Sequence, residues 1–353
     1  MMKLSRSNWL WIAWGLVLVA AMSCNFPVSL FNEEHTPSPV EGGSILPSEA
    51  ATGTQSVLST EEIHETLTTP EEQAPAAPPT AEPPPSTTSC DEDVCIESGT
   101  FLLSRPIGPG GRNTFDPSNR FGEYQRTTGE AHFGTDFLNS LGTPVLAAAN
   151  GVVVVAGDDS KTPYALRPDT YGSLVMLEHS LPGVPEPVYT LYAHLSQVSV
   201  SKGDQVLAGQ EIGQVGMSGR IKGSTLHFEV RLSENLYHSA RNPELWVEPL
   251  TDEQGQMTGA LAGRILDAGG KYIRMPNIVL ERLAGPGLPA LDQVYLKTYS
   301  SKHLVGQSPW FENFGVGDLP AGSYQISFWL NGMQQKVIEI EPGKLTVVNF
   351  LVE

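Results

Sequence analysis

Positive charge is scarce in this sequence. No Lys or Arg occurs between Arg6 and Arg105, and 21 basic side chains face 39 acidic ones, for a formal net charge of −18. That balance argues against nucleic acid as a partner, because little is available to neutralise phosphates. Cysteine is nearly absent. Three residues are too few for a disulfide-built scaffold or an all-Cys structural zinc site. Helical periodicity is also missing, since no long stretch repeats its apolar residues every three to four positions. Neither a phosphate-binding Gly loop nor a Ser or Cys nucleophile constellation is strong enough to compete with the histidine motifs between residues 132 and 227.

What is there begins with an export signal. Lys3 and Arg6 form a positive n-region, and Trp9 to Ala21 is an apolar run without a charge. Ala21-Met22-Ser23-Cys24 resembles a bacterial lipobox, with Cys24 as the lipid-carrying residue, although Leu is commoner at the first position and Ala or Gly at the third. The alternatives are a simple secretory signal or an uncleaved anchor. The run is short for a membrane span, which favours the lipoprotein, a chain held to the membrane by its N-terminal lipid. All three place residues 25–353 outside the cytoplasm. Residues 25–98 then read as a disordered, acidic tether rich in Pro, Thr and Ser, self-repelling and stiffened by its Pro tracts. His35 and His64 fall here as solvated side chains. At its end Cys90 and Cys95, in an oxidising compartment, read as a local disulfide.

Residues 99–250 read as a first, all-β domain. Pro144–Ala148, Gly151–Ala156, Ser173–Glu178 and Val188–Tyr192 are short runs rich in β-branched and aromatic residues, separated by Gly-bearing turns. The pattern predicts a sandwich or partly open barrel. Within it, Thr225-Leu226-His227-Phe228-Glu229-Val230 alternates. Leu226, Phe228 and Val230 form a core face, while Thr225, His227 and Glu229 share the other. His132 and Asp136 would lie about 13 Å apart on an extended strand. Gly134 between them allows a bend that brings them together. Two histidines and one aspartate match the three protein donors of a catalytic zinc with one position left open. His194 follows the apolar run Val188–Tyr192, where a satisfied core histidine is the competing reading. His179 reads as structural, and His238 and His303 have no supporting context.

In sequence order, Arg120-Phe121-Gly122, His132-Phe133-Gly134-Thr135-Asp136, Gly142-Thr143-Pro144-Val145, Tyr192-Ala193-His194-Leu195, Gly203-Asp204 and Leu226-His227-Phe228-Glu229 resemble the lysostaphin-type (LytM-type) zinc metallopeptidases, which cut peptide cross-links of bacterial cell walls. The resemblance implies a two-sheet groove fold. It also implies one zinc ion on His132, Asp136 and His227, with His194 beside the metal-bound water and peptidoglycan peptides as substrate. One position departs. The family carries His-x-His at the end of its last motif, and here Thr225 stands where the first, catalytic His belongs. A Thr is no base at neutral pH, though its hydroxyl could donate one hydrogen bond to a developing oxyanion. Two functions are therefore expected: a slow zinc endopeptidase of the cell envelope, or a degenerate zinc-binding relative that binds wall peptides or regulates a partner wall hydrolase.

Residues 256–353 read as a small β-sandwich, with strands expected at Gly263–Lys271, Asn277–Glu281, Asp318–Phe328, Gln335–Ile340 and Leu345–Phe350. The pattern resembles the carboxypeptidase regulatory-like (prealbumin-like) domain. It shows no cluster of His, Cys or carboxylates that suggests catalysis.

Overall fold

A computed structural model describes residues 88–353 except residues 92, 126–128, 286–287 and 305. The signal with Cys24, and the tether as far as residue 87, lie outside the described residues. What is described is all-β, with only two short 3₁₀ turns, Tyr237–Ser239 and Pro243–Leu245.

The groove region is built on one sheet whose neighbouring strands are Gln205–Val206, Gly151–Asp158, Ser173–His179, Val188–Ala193 and Thr225–Leu232. The outer edge of Thr225–Leu232 is shared, its first half pairing with Thr135–Leu138 and its second with Ala240–Arg241. A three-stranded sheet, Leu195–Val198, Glu211–Val215 and Pro144–Leu146, completes this half. Leu226, Phe228 and Val230 are wholly buried in the core with Tyr192, Phe137 and Val175, as the alternation requires.

The second half is a two-sheet sandwich. Ala290–Leu296, Ile278–Leu283, Gly322–Trp329 and Met333–Ile340 form one sheet. The other is Thr88–Asp91, Val94–Glu97, Leu345–Val352, Gly259–Asp267 and Phe314–Leu319. Its first two strands are a correction. Composition assigns residues 88–97 to the end of the tether, yet Val94–Glu97 pairs antiparallel with Leu345–Val352, Cys95 opposite Val347. The hairpin is itself closed by the Cys90–Cys95 disulfide between directly opposed residues. Short β-formers are hidden here inside an acidic, polar composition. Two further strands, Ala290–Leu296 and Phe314–Leu319, escape a reading of the sequence. The first is exposed at nearly every position and the second carries Gly315 and Gly317, so neither shows an apolar period.

The two halves share an interior. Ala260, Ala262, Trp310, Leu345 and Val347 belong to the same buried cluster as Phe137 and Leu226, and the described residues all fall in one compact unit. Arg105 pairs with Asp318 across the junction, and Glu244 takes both Arg120 (2.6 Å) and the Gly317 N–H (2.9 Å). Gly122 is needed where it stands. A side chain there would run into the Tyr299 ring, and its φ of 80° is in the left-handed region.

Candidate metal centre

Strand register assembles the site. In the antiparallel pairing His227 lies opposite Asp136 on one side and opposite Ala193, the residue before His194, on the other. His132 precedes the Thr135–Leu138 strand, and the chain bends at Gly134 between them. The reason for glycine is not a left-handed backbone, as φ there is not among the positive ones. A Cβ at Gly134 would sit 2.4 Å from the Phe228 carbonyl and 2.7 Å from the His227 ring. The site needs the empty space.

Three donor atoms converge. His132 Nε2 lies 3.0 Å from His227 Nδ1, which lies 3.0 Å from Asp136 Oδ1, and that oxygen is 3.4 Å from His132 Nε2. Donors held at 2.0–2.1 Å around a tetrahedral ion stand about 3.3 Å apart. The triangle has the right edges, and two imidazoles with a carboxylate are the right chemistry for zinc. All three are at least nine-tenths buried.

Partners behind the donors fix their direction. Nδ1 of His132 lies 2.8 Å from the Asn119 carbonyl. A carbonyl only accepts, so that nitrogen carries the proton and Nε2 turns its lone pair inward. Nε2 of His227 donates to Glu229 Oε1 at 3.1 Å, leaving Nδ1 for the centre. Glu229 is held in turn by the Tyr171 hydroxyl and by Arg231 Nε at 2.8 Å. Burial pushes the Glu229 carboxyl up, but Arg231 and His227 outweigh it and bring it down to about 2, so it stays ionised. Burial likewise works against charge on His227, yet Asp136 and Glu229 raise its pKa to about 9. Burial raises Asp136, and the two histidines nonetheless hold it well below the usual range. The Asn119 side chain closes the set, its Nδ2 donating to Asp136 Oδ2 at 2.5 Å.

His194 stands beside this centre, its ring 5.7 Å from that of His227. Its φ is 62°, a left-handed conformation that a non-glycine residue adopts at a cost of order 1–3 kcal/mol. The surroundings hold it there: its N–H donates to the Tyr171 carbonyl (2.9 Å) and its Nδ1 to the Ser218 carbonyl (2.9 Å). Nε2 is therefore the unprotonated nitrogen. Burial, joined by repulsion from His227, lowers its pKa to about 4, so the ring is neutral at ordinary pH.

Thr225 is placed differently from expectation. Its hydroxyl donates to the Phe137 carbonyl at 3.1 Å and the residue is 3% exposed. It is not among the residues lining the groove, which include His132, Asp136, His194, His227, Tyr171 and Tyr237 around a cavity of about 600 Å³. No contact to an oxyanion can come from a hydroxyl spent on the adjacent strand. His179 is structural, bound to the Asn150 carbonyl and the Thr190 hydroxyl. His238 and His303 stay outside the groove. The supporting residues Asn119, Tyr171, Ser218 and Arg231 are not found by sequence reasoning. The one available signal is that Asn119 immediately precedes the Arg120-Phe121-Gly122 motif.

The three donors lie within the segment that a protein-family comparison matches. The model of peptidase family M23 matches residues 130–240. Those residues are a peptidase family M23 domain. The chain is similar to "Peptidoglycan DD-endopeptidase ShyA" of Vibrio cholerae, 36% identical over 118 residues, 33% of this chain and 24% of that protein. It is also 36% identical over 107 residues to the "Lipoprotein NlpD/LppB homolog" of Pseudomonas aeruginosa, covering 30% of this chain and 31% of that protein. The chain thus spans a quarter to a third of the length of these relatives. Among solved structures, the catalytic domain of lysostaphin from Staphylococcus simulans is 32% identical, with TM-score 0.30, over 35% of this chain and 85% of that one.

Proposed function

We propose that this chain is a zinc-dependent endopeptidase acting on peptidoglycan cross-link peptides outside the cytoplasm, tethered to the membrane through lipid on Cys24. The observation that carries the reading is the donor triangle of His132 Nε2, His227 Nδ1 and Asp136 Oδ1, with each imidazole locked by a partner behind it. Zinc bound there supplies a Lewis acid that polarises the scissile carbonyl and makes a water nucleophilic near neutral pH. The chain's own residues do the rest. His194, neutral and with Nε2 free, takes the proton of the attacking water and can return it to the leaving amine. The groove walls, Tyr171 and Tyr237 among them, hold the peptide and exclude water.

Thr225 does not replace the family's missing imidazole, because its hydroxyl is spent on Phe137. A positioned acid–base group contributes about 10²–10⁴ in rate, so the enzyme is slow by that order. The same observation favours a second reading, a degenerate zinc protein that binds wall peptides or regulates a wall hydrolase. The two readings separate in a digestion of purified cell wall by the chain from Cys24 onward. Release of peptide ends that both a chelator and His194→Ala abolish supports the enzyme. No release by the zinc-loaded wild type, with release appearing in Thr225→His, supports the degenerate reading. A chain that takes up no zinc overturns both.

A further inference from the structure

Asp159, just past the Gly151–Asp158 strand, is a wholly buried carboxyl that the chemistry above does not use. Its side-chain partners among the described residues are three consecutive backbone N–H groups. Oδ2 accepts from Thr170 and Tyr171, and Oδ1 accepts from Gly172, each at 2.9 Å. The backbone closes the same contact, with the Asp159 N–H donating to the Gly172 carbonyl at 3.2 Å. A carboxyl taken out of water without a basic partner is costly unless its oxygens are hydrogen-bonded. These bonds meet that demand, and in doing so they fix the backbone of residues 170–172.

That short segment is the one on which His194 rests. The Tyr171 carbonyl accepts the His194 N–H at 2.9 Å. The Ser218 carbonyl, which accepts from His194 Nδ1, sits in a loop seated on the same segment. The Arg220 N–H donates to the Thr170 carbonyl (3.0 Å), and the Ser173 N–H donates to Ser218 Oγ (2.9 Å). Gly172 and Gly219 abut so closely that a Cβ on Gly172 would lie 2.4 Å from the Gly219 nitrogen. Both partners of His194 are therefore anchored on residues 170–173, and residues 170–172 are anchored on Asp159. A histidine at φ 62° keeps that conformation only where its surroundings determine it.

We propose that Asp159 is a positioning residue of the centre. By holding the backbone of residues 170–172 it keeps His194 in the conformation and tautomer that leave Nε2 free. The catalytic meaning of this placement rests on the endopeptidase reading; the placement itself does not.

The test is Asp159→Asn, which keeps the size but sets an NH₂ donor against N–H donors that it cannot satisfy. Ring-nitrogen NMR signals of the zinc-loaded chain from Cys24 onward report each histidine's tautomer, and His194→Ala identifies the His194 signal. The expected result is loss of the pure Nδ1–H pattern at His194, while His179, held by Asn150 and Thr190, keeps its signal. An unaltered His194 pattern with only the Tm lowered would show that Asp159 does no more than close its loop, and would overturn the proposal. Should the variant not fold, amide exchange in the wild type decides. The His194 N–H is expected to exchange in one opening with the N–H groups of Thr170, Tyr171 and Gly172. A His194 amide that stays protected while those three exchange freely overturns the proposal too. Cell-wall digestion is a separate arm. A displaced catalytic group costs about 10²-fold in rate, so a wild type that cuts should lose about that much in Asp159→Asn at saturating zinc. A wild type that cuts nothing removes the endopeptidase reading and leaves the NMR result to judge Asp159.

Discussion

Each metal-facing nitrogen of the centre is chosen by a group on its far side. Glu229 does this for His227, and it is itself ionised, buried and paired with Arg231. Replacing Glu229 by Gln keeps the size but removes the charge and leaves Arg231 buried beside a neutral amide. Zinc affinity of Glu229→Gln is expected to fall about 10–100-fold, the usual effect of losing such a partner; titration against a competing chelator measures it. An unchanged affinity would show that Glu229 serves only the fold. His194 gives a second expectation at this scale. Its Nε2 touches none of the three donors, so His194→Ala should leave zinc uptake intact while abolishing cleavage, a split readable by metal analysis beside the digestion assay.

At the scale of elements, the site is a product of register. The Thr225–Leu232 strand sets His227 between Asp136 and Ala193, and a slip by one residue would turn His227 into the core. The space at Gly134 is part of the same arrangement. Gly134→Ala puts a methyl group against the Phe228 carbonyl and the His227 ring. It is expected to destabilise the chain by about 1–3 kcal/mol and to weaken zinc binding, seen as a lower Tm together with reduced metal content.

Much of this level is legible in the sequence. The alternation of Leu226, Phe228 and Val230 announces the core face, and the strands from Gly151 to Ala193 lie within a few residues of where their β-branched runs put them. The candidate donors His132, Asp136 and His227 are named by the resemblance of ordered motifs to a known family, and the structure brings their donor atoms together. What stays illegible has a physical reason in each case. Asn119 acts through a backbone carbonyl as well as its side chain, and a carbonyl has no signature in sequence. Thr225 shares a strand face with His227, but only coordinates show its hydroxyl turned to Phe137. The hairpin at Thr88–Glu97 gains its strand character from a partner at Leu345–Val352, far beyond any local window.

Over the whole molecule, buried polar groups are not confined to the metal centre, and several lie at the junction between the halves. Glu312 is wholly buried there, with the Gln307 N–H at 3.0 Å and the Tyr299 hydroxyl at 3.3 Å. Burial raises its pKa from 4.5 to about 7, against the opposing pull of those hydrogen bonds. The folded state therefore keeps a proton that the unfolded chain releases above pH 4.5. Stability is highest below that value and falls as pH rises towards 7, with a slope approaching about 1.4 kcal/mol per pH unit from this group. Glu312→Gln removes that contribution, so its Tm should depend less on pH between 4.5 and 7 and exceed the wild type's near pH 7.5. Paired thermal melts across that range check both. A wild-type curve unaltered by the substitution would place the ionisation elsewhere.

The pairing of Cys95 with Val347 also bears on how the chain is made. Synthesis runs from the N-terminus, so the hairpin emerges roughly 250 residues before the strand that covers its edge. Until then an unpaired β-edge and half a sandwich wait in the open, where contacts of such long range form slowly. A folding helper acting on the nascent product would find its substrate in that waiting edge.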